Sequence, residues 1–202
     1  MVRWRNSVIQ NCVFNSGANY NIGFNRGFGY MKILTPPARG QQAQRVNSWR
    51  EIKKDARQMI EMIRKDEFAG KLWTAAYAVA HPQLVTLRCD DTSPPCQAGK
   101  CGHHKRFFVL NMREKSGYIK RYFKHEVIIN PSILFGTEML SAREGCMSNE
   151  YVGTVNVARY NKIKVEYYIP GWFGLKKISE DFTGLAARII GHEVDHFRGE
   201  YL

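Results

Sequence analysis

The pentapeptide His192-Glu193-Val194-Asp195-His196 constrains this chain more than any other stretch. Two histidines four residues apart share a face only in an α-helix, where side chains at i and i+4 stand one above the other. On that face His192 and His196 can bind one metal ion. Glu193, beside the first ligand, can then take a proton from water held at the metal. Read without a metal, the same stretch is a charged, solvated final turn of helix.

Two imidazoles leave a catalytic metal one protein ligand short of the usual three. Many zinc proteases draw the third from downstream, as a glutamate or as a histidine six residues past the second ligand. Gly199 stands where such a histidine would have its preceding glycine, but the ligand position holds Leu202, the last residue of the sequence. The third ligand is therefore expected upstream, and Glu144-Gly145-Cys146-Met147-Ser148 offers one. A thiolate binds zinc or ferrous iron well, and the metal itself lowers the thiol pKa so that the sulfur binds deprotonated. Gly145 would let backbone approach metal and substrate closely. For an arbitrary cysteine the favoured reading would be a buried free thiol after a turn, and Cys146 is set apart by its pairing with the two histidines.

Four blocks of sequence have family-like spacing. Glu144–Ser148 has the form E-G-C-[LM]-S, and Gly184-Leu185-Ala186-Ala187-Arg188 runs into the His192–His196 stretch and Gly199. Val127-Ile128-Ile129-Asn130-Pro131 reads as a strand end of the form V-x-x-N-P, and Lys32-Ile33-Leu34-Thr35 as an opening strand. In these blocks, spread over residues 31–202, the chain resembles the peptide deformylase family. The resemblance implies hydrolysis of the formyl group from the N-terminal formyl-methionine of nascent polypeptides. It implies Cys146, His192 and His196 as metal ligands, and Glu193 as general base toward water and then general acid toward the departing amine. The implied metal is Fe(2+), with Zn(2+), Ni(2+) or Co(2+) as substitutes in a purified sample. The implied oxyanion donors are the Gln83 side chain and the backbone N–H of Met147.

The resemblance breaks down where the peptide would lie. The family motif G-x-G-x-A-A-x-Q is best matched by Ala76-Tyr77-Ala78-Val79-Ala80-His81-Pro82-Gln83, with both glycines replaced by Ala76 and Ala78. Methyl groups where backbone meets substrate should narrow the cleft or shift the strand. The glutamine that usually precedes the first histidine is Gly191, and Asn149-Glu150-Tyr151-Val152 replaces the usual proline and peptide-gripping arginine. Metal ligation and proton transfer are thus expected intact and peptide recognition altered. Two other readings stay open: a weak or inactive relative that binds metal and peptide, and a metallopeptidase using the same ligands.

The remaining sequence reads as one α+β domain, with antiparallel β-sheets packed around the ligand-bearing helix. Hydrophobic residues make up 44% of 202, enough for one substantial core, with no internal repeat. No apolar run approaches the ~20 residues of a membrane span. Ser48-Trp49-Arg50-Glu51 is a capping box opening a helix that carries Ile52, Met59, Ile60 and Ile63 on its apolar side and ends by Gly70. Residues 106–111, 118–129 and 162–169 read as strands, with Lys115-Ser116-Gly117 a turn between the first two. On the late helix Leu185, Ile189, His192 and His196 follow 4-3-4 spacing. The two aliphatics are core, or wall an apolar pocket for the methionine side chain, or both.

Residues 88–105 form an insertion-like loop carrying Cys89, Cys96, Cys101, His103 and His104. It reads as an exposed loop with reduced thiols, or as a second metal or disulfide site of unfamiliar spacing. Residues 1–50 contain seven Arg or Lys and no Asp or Glu, against a net charge of +12 for the whole chain. Residues 1–30 are expected to be a basic extension or transit-like segment, which points to a mitochondrial or other organelle matrix, and otherwise to the cytoplasm. The charge would favour residence near ribosomal phosphates, without any DNA-binding motif. The expected state is a monomer.

Overall fold

The computed structural model describes residues 32–33, 42–64, 78–80, 84–85, 104–110, 127–146, 148 and 153–202. In chain order the elements are β1 (Lys32–Ile33), α1 (Trp49–Arg64), β2 (Ala78–Ala80), β3 (Leu84–Val85), β4 (Phe107–Leu110), β5 (Val127–Gly145), β6 (Thr154–Gly171), β7 (Gly174–Thr183) and α2 (Gly184–His196). β1 pairs antiparallel with β3, and the other strands form one antiparallel sheet in the order β2-β4-β5-β6-β7.

Period-2 alternation decides what each face of this sheet meets. Phe108 and Leu110 of β4 join Ile163, Val165 and Tyr167 of β6, Phe182 of β7, and Ala187, Ile190 and Val194 of α2 in one buried cluster. Those α2 positions recur every three to four residues, so one stripe of the helix lies on the sheet. Fully burying a side chain such as Phe108 stabilises by roughly 1.5–3 kcal/mol. Phe107 and Val109 alternate with these residues and are just as buried, on the side where α1 approaches β4. α1 begins as expected: the Ser48 backbone N–H donates to Glu51 Oε1 at 3.1 Å, and Ile52, Ala56 and Met59 form its buried stripe.

Three expectations change. Asn130-Pro131 does not end a strand, because β5 continues to Gly145 through a register shift between Ile129 and Ser132. Asn130 sits in that bulge with φ 49°, which its short amide side chain tolerates. That side chain donates to the Val46 carbonyl at 2.7 Å and accepts from the Val46 N–H at 2.9 Å, so the segment entering α1 is pinned to the sheet. β6 starts at Thr154, eight residues before the aromatic and β-branched run begins, and β7 follows it directly. His104, expected on an exposed loop, is 7% exposed, and its carbonyl accepts from the Gln44 N–H. Residues 88–103, the Lys115–Gly117 turn and Gly70 lie outside the described residues. No helix among the described residues is long and apolar enough to cross a membrane.

Candidate metal centre

α2 begins where β7 ends. Gly184 adopts φ 61°, a conformation open to glycine, so strand passes into helix without a spacer. Down one side of the helix, Ile189 is 8% exposed and joins the core, whereas Leu185 in the first turn is 46% exposed. His192 and His196 come next, their rings edge to face with centroids 4.6 Å apart. Cys146 follows the last rung of β5, Gly145↔Thr154, and is 3% exposed.

The two stretches converge on one point. Cys146 Sγ lies 3.6 Å from His196 Nε2, and ligand atoms of Cys146, His192 and His196 all lie within 4.8 Å of one another. Sulfur and nitrogen bonded to one ion at ~2.3 and ~2.0 Å in tetrahedral geometry would stand about 3.5 Å apart. The Nδ1 atoms face away. His192 Nδ1 is 3.1 Å from Glu144 Oε2, and His196 Nδ1 is 3.1 Å from the Glu200 carbonyl. With Nδ1 as donor in both rings, each Nε2 keeps the lone pair a metal needs.

The charges around this point favour a cation. Burial disfavours the His192 imidazolium, yet hydrogen bonds to Cys146 and Glu144 and the Glu193 charge push its pKa up to about 10. Burial, and then the charge on His192, hold His196 well below the usual histidine range. Glu193 is 4% exposed, and burial pushes its carboxyl up to about 7 against the pull of His192, Arg159 and the Ala80 backbone. Its Oε2 has no hydrogen-bond partner. A soft sulfur and two imidazoles with their far nitrogens engaged are donors that fit zinc or ferrous iron, with an orphaned carboxylate oxygen beside them.

A second layer of charge holds these donors, and the sequence did not announce it. Arg159 Nε donates to both oxygens of Glu144, at 2.8 and 3.0 Å, and its NH1 donates to Asp195 Oδ2 at 2.6 Å. Arg188 NH1 also donates to Glu144, and its NH2 to the Leu140 carbonyl at 2.7 Å, tying α2 to β5. Burial opposes ionisation of Glu144, but the His192 hydrogen bond and the Arg159 charge hold its carboxyl below the usual carboxylate range. A Cβ added at Gly191 would meet the Arg159 side chain at 3.4 Å, so the arginine lies directly over this glycine.

Beyond α2, Gly199 takes φ 73° and the chain turns back over its own helix. The Tyr201 ring then stacks on His196, with centroids 4.6 Å apart and planes 24° apart. Burial, followed by the Cys146 and Glu193 charges, pushes the Tyr201 phenol up, which puts its ring beside the donor cluster. The only signal in the sequence was an aromatic two residues after a glycine near the metal helix.

The other expected site residues divide in two. Ala78 is 7% exposed in the buried cluster, on the same face of β2 as Ala80, and Gly145 closes β5. Ala76, Gln83 and Met147 lie outside the described residues.

Residues 33–202 match the family model described as polypeptide deformylase. The chain belongs to that family. It is 37% identical over 105 residues to a peptide deformylase of Karelsulcia muelleri, a match covering 51% of each chain. It is 29% identical over 143 residues to one of Christiangramia forsetii, covering 66% of this chain and 65% of that one. The matched part thus spans between about half and two thirds of these curated deformylases. In three dimensions it is similar to the peptide deformylase of Thermotoga maritima, with TM-score 0.57 and 25% identity over 85% of this chain and 93% of that one. The same score and identity hold for a deformylase of Vibrio parahaemolyticus bacteriophage VP16T solved with actinonin, over 85% of this chain and 99% of that one.

Proposed function

We propose that this chain is a metal-dependent hydrolase removing the formyl group from N-formyl-methionyl nascent peptides. The observation that carries the reading is the convergence of Cys146, His192 and His196 to within 4.8 Å, with buried Glu193 beside them. The proposed resident ion is Fe(2+), with Zn(2+), Ni(2+) or Co(2+) able to replace it in a purified sample. When bound, the ion supplies Lewis acidity toward the formyl oxygen and toward water.

The protein's own groups do the rest. Glu193, with a carboxyl pushed up to about 7, is poised to accept a proton from water as the oxygen adds to the formyl carbon. As the C–N bond breaks, the same carboxyl returns that proton to the amine nitrogen, leaving formate and a free N-terminus. Glu144, Arg159 and Asp195 keep His192 and the helix in register while charge moves. Gln83 and the Met147 N–H are the proposed donors to the oxyanion, and Leu185 and Ile189 the proposed walls for the methionine side chain. An organelle matrix is the location favoured by the acid-poor, arginine-bearing first fifty residues.

The test is formate release from formyl-Met-Ala-Ser by protein purified anaerobically with ferrous iron, beside the acetylated peptide and a zinc-loaded sample. Formate from the formyl peptide alone is the expected result. A stoichiometric metal with no formate would make the chain a silent binding relative. Cleavage of an internal amide would make it a metallopeptidase.

A further inference from the structure

The β6–β7 hairpin outruns the rest of its sheet. The last rung β6 shares with β5 is Ile129↔Tyr168. Beyond it, Ile169↔Lys176, Pro170↔Leu175 and Gly171↔Gly174 pair only with each other among the described residues. Three rungs at ~3.3 Å per residue carry the turn about 10 Å past the sheet. At its apex stand Trp172 and Phe173, with relative exposures of 100% and 107%, so none of the described residues shields either ring. Two-residue turns ordinarily take Asn, Asp or Gly, which favour the bend and cost nothing in water. Two adjacent, fully exposed large aromatics are the reverse of that choice.

The charges behind the apex are mostly positive. Lys176 and Lys177 lie on β7, and the Arg45 guanidinium sits 5.8 Å from the Tyr168 ring centroid. Among the described residues the carboxylate that pairs with them is Glu166, 2.7 Å from Lys177. The apex therefore offers apolar rings in front of a net positive collar, on a chain of net charge +12.

We propose that the Trp172–Phe173 tip docks into the headgroup–acyl boundary of an anionic lipid bilayer, with Lys176, Lys177 and Arg45 at the phosphates. Aromatic rings ahead of cationic side chains match the order of layers met on entering such a surface. The ~10 Å projection also matches the ~5–10 Å depth of interfacial insertion. Single-stranded nucleic acid fits less well, because stacking platforms lie along a cationic groove, whereas these rings cap a two-stranded projection whose last three rungs pair with no third strand among the described residues. A second copy of the chain fits less well too. Two rings of ~150–250 Å² each fall short of the ~800 Å² per partner of a stable interface. The metal cluster lies at the Thr154 end of β6 and the tip at the Gly171 end, so docking leaves the cluster uncovered.

The 202-residue chain is to be sedimented with vesicles of phosphatidylcholine alone and with phosphatidylglycerol added, and separately mixed with poly(U). The expected result is pelleting with the anionic vesicles that falls about tenfold or more in W172S/F173S and weakens in high salt. The double variant should keep its melting temperature and metal content. No pelleting, or equal pelleting of the double variant, overturns the proposal, the second outcome assigning adhesion to other basic segments. Loss in the variant of poly(U) binding or of self-association, without vesicle binding, likewise overturns it in favour of those partners.

Discussion

The two ends of β6 invert the usual partition of side chains in opposite ways. At the Thr154 end, Glu144, Glu193 and His196 are buried at 9%, 4% and 1% exposure, where charge is ordinarily excluded. At the Gly171 end, Trp172 and Phe173 are wholly in water, where large apolar rings are ordinarily avoided. One strand runs between them, and Ile163, Val165 and Tyr167 along it point inward in strict alternation. Ordinary packing is complete in itself, whereas each inverted end presents groups that a partner can complete. For the buried end that is a cation. For the exposed end it is an apolar surface.

The sharpest way to break the comparison is to take away a donor. Cys146→Ala should leave the protein unable to retain a stoichiometric metal, read by elemental analysis after desalting, with a melting temperature like that of chelator-treated wild type. Unchanged metal content would remove the sulfur from the ligand set. Next in size is Glu144→Ala, which strands Arg159, Arg188 and His192 around an emptied buried site. Breaking a buried charge network by removing one member costs about 3–5 kcal/mol, so denaturant titration should show a loss in that range. A loss under ~1 kcal/mol would mean that water replaces the carboxylate.

The residues that carry this contrast were unequally legible. His192, Glu193, His196 and Cys146 could be picked out because helical spacing and ligand chemistry leave few alternatives for such a pattern. The partner of Asp195 was not legible. Arg159 reaches it across 36 positions of sequence, and no local period encodes a contact made by strand register. The capping box at Ser48 was legible because capping is a four-residue event. The course of β5 was not. Asn130-Pro131 looks locally like a terminus, while tertiary bonds to Val46 stabilise the bulge that lets the strand continue. The hairpin apex was missed because two aromatics occupy its central positions, although Pro170-Gly171 and Gly174 flank them.

Smaller effects sharpen the picture of the buried end. Tyr201→Leu removes the ring stacked on His196 and should weaken metal affinity about tenfold in chelator competition, as changes just outside a metal's ligands typically do. Tyr201→Phe keeps the stack and should bind metal nearly as wild type. Equal weakening in both would shift the role from the ring to the hydroxyl. The smallest expected effect belongs to Ala78→Gly. Its methyl is buried in the core, so the variant should lose roughly 0.5–1 kcal/mol of stability. Any gain with formyl-methionyl peptides should stay within a few fold. A larger gain would show that this methyl narrows the cleft.

The buried charges are proposed to form a hydrolytic centre and not merely a metal-stabilised core. The direct measurement is formate release by iron-loaded Glu193→Gln beside wild type, with metal content determined on the same samples. Equal metal and a turnover lower by about 10²–10⁴ is the expected result, the span of a lost general acid–base group. Equal metal with unchanged turnover would take Glu193 out of the chemistry.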